Sequence, residues 1–210
     1  MRITKYPQSC LVIENNGKRI VIDPGSFVTK KYSADDLLPL DGILITHEHQ
    51  DHADPEFIKN LIGQGSTPVI GNKSTADAFG DLVTKIVEEG ENFEVAGFNI
   101  AARELPHVAM VDGSAGPQNT GYVIDDVFFH PGDGIVIDNL SVEKAAVPIA
   151  GPDISPRDTY SFIKQIGCKT VVPIHYDAFP ADPNFFASMM ARTDSSIKVV
   201  VLDNGQTEDI

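Results

Sequence analysis

The chain has 210 residues, 42% hydrophobic and 22% charged, with no low-complexity tract, which suits one globular domain spanning residues 1–210. A net charge of −14 without any Lys/Arg run weighs against phosphate backbones and anionic membranes as partners. No apolar run approaches the ~18 residues of a membrane span, and Met1 to Pro7 carries no signal-peptide core, so a cytoplasmic location is expected.

Arg2 to Lys5, Ser9 to Glu14 and Arg19 to Asp23 read as three short strands. Asn15-Asn16-Gly17-Lys18 joins the last two as a hairpin, because Asn and Gly tolerate positive φ, so the chain opens as an antiparallel meander. Asp23 ends the third strand ahead of Pro24-Gly25, where it serves either as a turn former or as a support for a site at the sheet edge. Residues 26 to 41 are mixed, with a short helix expected over Ser33 to Leu38. Ile43 to Thr46 reads as a buried strand, and His47-Glu48-His49-Gln50-Asp51-His52 follows it directly. Asp54 as N-cap and Pro55 at the first helical position start a helix whose apolar face is Phe57, Ile58, Leu61 and Ile62. A strand at Val69-Ile70 and a helix from Ser74 to Leu82 continue the α/β alternation, and Lys85 to Leu105 returns to strands with turns at Gly90 and Gly97.

His107 stands alone just past that strand region. Residues 112 to 119 form a loop without a Walker-type lysine, either a substrate-side loop or a plain connector. Gly121 to Asp125 and Val127 to His130 make a second hairpin, which runs into Pro131-Gly132-Asp133-Gly134. Then come a strand at Ala145 to Ile149, a helix at Ser155 to Ile166, a strand at Thr170 to Ile174 ending in His175, a helix at Pro183 to Ala191 and a last strand at Lys198 to Leu202. Cys10 and Cys168 lie in apolar surroundings without a CxxC pair and read as buried free thiols. Hairpins followed by β/α units occur twice, which suggests two packed sheets with helices outside and a site along one shared edge.

Three imidazoles and a carboxylate between His47 and His52 form a ligand set that divalent transition metals prefer. A zincin helix is excluded, because the residue four after His47 is Asp51. The ligands must come from irregular backbone, with His47 and His49 on one side of a turn and Asp51 and His52 on the other. Adding the strand-end residues His107, Asp133 and His175 gives more ligands than one metal with an open position holds, and suits a two-metal site. His130 either orients a ligand or contacts substrate, or is a buried structural residue. Tyr176 either hydrogen-bonds a leaving group or packs against the sheet.

This ordered pattern, HxHxDH after a buried strand, then a lone His, the Asp of Gly-Asp and a final His after a strand, resembles the metallo-β-lactamase superfamily across essentially the whole chain. Asp23-Pro24-Gly25 matches that family's first motif. Ala146 to Gly151, the helix after it, and Val171 to Tyr176 more narrowly resemble the UlaG-like stand-alone metal-dependent hydrolases, which include ascorbate-6-phosphate lactonase. The resemblance implies an α/β (α+β) fold: a four-layer αββα sandwich of two mixed β-sheets flanked by helices. It implies two divalent metal ions, one held by His47, His49 and His107, the other by Asp51, His52 and His175, with Asp133 bridging. Gly134 departs from the pattern, because many relatives carry Thr or Ser there. With no Cys among the ligands, zinc is the first expectation, and manganese and iron are the alternatives.

The implied chemistry is hydrolysis of an ester, lactone, amide or phosphoester by a hydroxide that the cations share, with Asp51 and Asp133 as the catalytic carboxylates. The substrate expected is a small molecule, which the metals would allow to be anionic or phosphorylated despite the negative chain. A phosphodiesterase or nuclease is the alternative, which the negative charge and missing basic arm disfavour; a non-hydrolytic metal-binding member of the fold is a third reading. Specificity is expected in loops 26 to 41 and 112 to 119. No apolar excess on the helices forces a dimer, and a homo-oligomer stays open.

Overall fold

The computed structural model describes residues 1–63 and 65–210. Period-two alternation along the strands sorts apolar side chains into separate layers. In β2 (Leu11–Asn15) and β3 (Lys18–Ile22), Leu11, Ile13, Ile20 and Ile22 face the space between two sheets, whereas Val12 and Val21 face the other way. The first sheet adds β1 (Arg2–Lys5), β4 (Gly42–Leu44), β5 (Val69–Gly71) and β6 (Lys85–Ile86). The second contains β7 (Asn92–Val95), β8 (Phe98–Glu104), β9 (Thr120–Ile124), β10 (Phe128–His130), β11 (Lys144–Pro148), β12 (Thr170–Ile174) and β13 (Lys198–Val199). With β14 (Thr207–Asp209), the orders are β14-β1-β2-β3-β4-β5-β6 and β13-β12-β11-β10-β9-β8-β7.

Each sheet is mixed in the same way. Antiparallel hairpins β1-β2-β3 and β7-β8-β9-β10 lead into parallel strands, β3-β4-β5-β6 and β10-β11-β12-β13. Ile3, Ile22, Leu44, Phe98, Tyr122, Phe128 and Ile174 belong to the core between the sheets. Tyr122 also ties the sheets together, its hydroxyl donating to the Ile45 carbonyl at 2.8 Å.

The outer faces are covered by helices. Val28 of α1 (Ser26–Thr29) and Phe57, Ile58 and Leu61 of α2 (Pro55–Ile62) pack on the first sheet, and α3 (Lys73–Phe79) places Phe79 there. Phe162 and Ile163 of α4 (Pro156–Gln165), with Phe186 and Met190 of α5 (Pro183–Thr193), pack on the second. The result is the four-layer αββα sandwich. Asp54 caps α2 as its sequence implied, accepting from the Glu56 and Phe57 amides at 3.1 Å each. The first hairpin turns through Asn16 and Gly17 at φ 50° and 74°, the pair of positive angles that a type I′ turn requires.

Several elements differ from expectation. Ser33 to Leu38 forms only a 3₁₀ turn at Ala34–Asp36, because the Asp36 carboxylate folds back onto the Ser33 amide and hydroxyl. The helix expected to reach Leu82 stops at Phe79, where Gly80 takes φ 56°. The last predicted strand keeps only Lys198–Val199, and the wholly exposed β14 pairs with β1 at the sheet edge without any apolar alternation to announce it. Cys10 and Cys168 are buried and free as expected. Among the described residues no helix is long and apolar enough to cross a membrane.

Candidate metal centre

The parallel strands end at one edge of the sandwich, and the segments leaving them carry the predicted ligands. Past β4 the chain turns sharply, with the His52 and Ala53 amides donating to the His49 carbonyl at 2.9 and 2.8 Å. This turn puts His47 and His49 on one side and Asp51 and His52 on the other. Gly25 makes the turn possible, since a Cβ there would lie 2.0 Å from the Asp51 carbonyl oxygen.

Three triads have one ligand atom per residue within 4.8 Å of one another: His47, His49 and His107; His47, His52 and Asp133; and Asp51, His52 and His175. The first and third share no residue, and Asp133 faces both. Its Oδ2 lies 3.0 Å from His175 Nε2 and 3.5 Å from His107 Nε2, and its Oδ1 lies 3.1 Å from His52 Nε2. All seven residues implied by the resemblance therefore meet in one place.

The imidazoles are aimed by their far nitrogens. His52 Nδ1 donates to Asp23 Oδ2 at 2.7 Å, His107 Nδ1 to the Val108 carbonyl at 2.6 Å, and His175 Nδ1 to the Ala150 carbonyl at 2.7 Å. Thr46 Oγ1 gives its proton to Asp23 Oδ2 at 2.8 Å, so it accepts from His47 Nδ1 at 3.0 Å. These bonds occupy Nδ1 and leave Nε2 of His52, His107 and His175 as the nitrogen facing the centre, the one that would carry a cation once its proton is displaced. His52 Nε2, His107 Nε2 and Asp133 Oδ1 are buried without a hydrogen-bond partner. His52 Nε2 and Asp133 Oδ1 sit 3.1 Å apart without forming a hydrogen bond. Orphaned buried atoms cost about 1–3 kcal/mol each, and a cation among them removes that cost. The donor set and its aim fit divalent metal.

Charge is finely divided in the cluster. Burial disfavours the charged forms of both Asp133 and Asp51, but His175, by charge and hydrogen bonding, and His52, by charge, hold the two carboxyls below the usual range. Burial likewise opposes charge on His175, yet Asp133 outweighs it and pushes the imidazole up to about 10. His52 is raised too, by Asp133 and Asp23 against burial. His47 and His49 are lowered, first by burial and then by neighbouring imidazoles.

Asp23 has both roles left open for it. It turns the chain at φ 54° and, fully buried, holds Thr46 and His52. His130 is fully buried and does not line the cavity over the cluster. Its Nε2 donates to the Ser9 carbonyl at 2.8 Å and its Nδ1 accepts from the Gly132 amide at 3.2 Å, which shapes the loop that delivers Asp133. Tyr176 packs with the helix-side core of the second sheet, its ring 4.4 Å from Lys5 Nζ, and does not line the cavity over the cluster. Gly134 is explained by Leu105, whose Cγ would lie 2.4 Å from a Cβ at that position.

Three amides escaped sequence reasoning. Gln8 Nε2 donates to Asp51 Oδ2 at 2.8 Å, while Gln8 Oε1 accepts from the Asp177 and Ala178 amides at 3.1 Å. Asn119 accepts from the Asp133 amide at 3.2 Å and donates to the Pro131 carbonyl at 2.9 Å. Asn72 donates to the Thr46 carbonyl at 3.0 Å. A lone amide has no periodicity and no ligand chemistry to flag it. The cavity beside the cluster is lined by Met110 and Val111 rather than by loops 26 to 41 and 112 to 119.

Comparison with known proteins agrees with this architecture. A sequence profile of the Beta-lactamase superfamily domain matches residues 2–175. Protein Rv0786c of Mycobacterium tuberculosis is 23% identical over 99% of this chain and 100% of its own length. A UPF0173 metal-dependent hydrolase of Geobacillus thermodenitrificans is 26% identical over 90% of this chain and 93% of its own. The structure of Igni18, a metallo hydrolase from the archaeon Ignicoccus hospitalis, superposes with a TM-score of 0.79 at 22% identity, covering 100% of this chain and 98% of that one. With the profile spanning most of its length and the αββα sandwich in place, the chain belongs to the metallo-β-lactamase superfamily.

Proposed function

We propose that this chain is a metal-dependent hydrolase with two divalent cations, which cleaves an ester, lactone or phosphoester bond of a small molecule. The observation that carries this reading is the pair of non-overlapping triads with Asp133 between them. His47, His49 and His107 would hold one cation, and Asp51, His52 and His175 the other, with Asp133 reaching both. Bound there, the cations would lower the pKa of water between them and polarise the scissile group, with zinc the first metal to test and manganese or iron the alternatives.

The chain's own residues do the rest. Asp51 lines the cavity, His175 and His52 keep its carboxylate ionised against burial, and Gln8 fixes it, so it is placed to orient an attacking water. Asp23 and the Val108 and Ala150 carbonyls keep three imidazoles in the tautomer that leaves Nε2 free. The Geobacillus relative is named a metal-dependent hydrolase, which supports the same reading.

Elemental mass spectrometry of wild type and Asp133→Ala, purified without chelator, tests it together with turnover of neutral esters and bis-p-nitrophenyl phosphate. About two metals per chain in wild type, a clear loss in the variant and metal-dependent turnover are expected for a bridged two-metal site. One metal or none after metal addition overturns the two-metal mechanism.

A further inference from the structure

The cavity that opens on the cluster has a volume of about 270 Å³ and is lined by His49, Gln50, Asp51, His107, Met110, Val111, Asp133, Pro152, His175 and Phe179. Setting aside the residues assigned to metal leaves Gln50 and four apolar side chains, Met110, Val111, Pro152 and Phe179. Val111 is 80% exposed and Phe179 39% exposed, large apolar groups presented to solvent at the mouth of a polar site. No lysine or arginine is among these lining residues. The residues that follow Val111 and Pro152 in the chain are the exposed carboxylates Asp112 and Asp153.

The loop that carries Met110 and Val111 is built and tied to the cluster. The Val108 amide donates to the Asp133 carbonyl at 3.0 Å, the Met110 amide to the Ser114 carbonyl at 2.9 Å, and the Gly113 amide to the Met110 carbonyl at 2.8 Å. Asp112 closes the turn by accepting from the Ser114 amide and hydroxyl at 3.0 and 2.6 Å. The apolar wall is therefore held at a set distance from His107 and Asp133.

Resting on the hydrolase reading above, we propose that the substrate is a small molecule whose group beyond the scissile bond is uncharged and apolar and seats against Met110, Val111, Pro152 and Phe179. A phosphorylated or carboxylated tail would enter a wall with no cation to pair it and with acidic residues next in the chain, which is costly for a charge leaving water. Any negative charge that the site accepts sits at the reacting centre, where the metals would lie. The volume falls just below the 300–1,000 Å³ typical of drug-sized ligands, so a short alkyl or single-ring group fills it. Met110 suits such a role, because its flexible thioether adapts to ligand shape.

The test uses the metal-loaded full-length protein and hydroxamates, which share one metal-binding head and differ in the tail. Calorimetry compares acetohydroxamate, butyrohydroxamate, hexanohydroxamate and succinic semihydroxamate, whose tail ends in a carboxylate. Affinity should rise by up to roughly fourfold per buried methylene, from ~0.8 kcal/mol each, and succinic semihydroxamate should bind at least tenfold more weakly than butyrohydroxamate. Met110→Asp should flatten the chain-length gradient while retaining wild-type metal content. A flat gradient in wild type, or tighter binding of the anionic tail, overturns the apolar-substrate inference and leaves the hydrolase reading standing. A chain that takes up no metal overturns both, which the elemental measurement reports separately.

Discussion

Asp23 Oδ2 lies 2.7 Å from His52 Nδ1 with both side chains fully buried, so a carboxylate that never faces the cavity decides which imidazole nitrogen does. The same oxygen takes the Thr46 hydroxyl proton and so sets the tautomer of His47 as well. Asp23→Asn tests this, because Asn tolerates the φ of 54° and keeps the shape. Its amide would offer a proton to His52 Nδ1, shifting the imidazole proton onto Nε2, where it blocks a cation. Metal affinity is expected to fall roughly 10–100-fold with the fold retained, measured by competitive chelator titration alongside circular dichroism. Unchanged affinity would remove Asp23 from the site.

Gln8 links two ligands of one triad, Asp51 and His175. It donates to Asp51 through Nε2, and its carbonyl accepts from the His175 amide at 3.1 Å. Gln8→Glu keeps the acceptors for Asp177 and Ala178 but faces Asp51 with a second carboxylate. We expect about a tenfold loss of metal affinity and a stability loss of about 1–3 kcal/mol in denaturant unfolding. A variant that matches wild type in both would show that the clamp is idle.

Metal uptake should release protons. Without metal, burial opposes charge on both imidazoles, but Asp133 pushes His175 up to about 10 and, with Asp23, raises His52. Loading both positions displaces those protons, so apparent affinity rises with pH and falls in acid. Calorimetry at pH 7.5 in buffers of different ionisation enthalpy should show net proton release on loading. Release near zero would contradict the charge assignment.

Lys5 offers a stability test away from the ligands. Its ammonium is fully buried, donating to the Tyr6 carbonyl at 2.9 Å and Asn204 Oδ1 at 3.1 Å, and burial lowers its pKa from 10.5 to about 8. Between those values the unfolded chain binds more protons than the folded one, so this residue's contribution to stability rises with pH across that window. Relative to wild type, Lys5→Met should therefore fare best below pH 8 and lose about 3 kcal/mol of that standing by pH 10.5, read from urea melts along a pH series. A difference that does not vary with pH would refute the lowered pKa.

Much of this molecule is legible in the order of its residues. Continuous apolar runs in β2, β3 and β11 specify sheets with two covered faces, and the caps Asp54 and Ser155 mark where helices start, because both signals depend on near neighbours. The crowding of imidazoles and carboxylate between His47 and His52 names the chemistry for the same reason. Only the packed sheets bring His107, Asp133 and His175 to that segment, and only they show that Asp133 faces both triads. Gln8, Asn119 and Asn72, the structural role of His130, the packing of Tyr176 and the apolar wall at Met110 and Val111 were decided by tertiary structure alone. Each depends on a contact across dozens of residues, made by side chains whose local pattern is the same whether or not that contact forms.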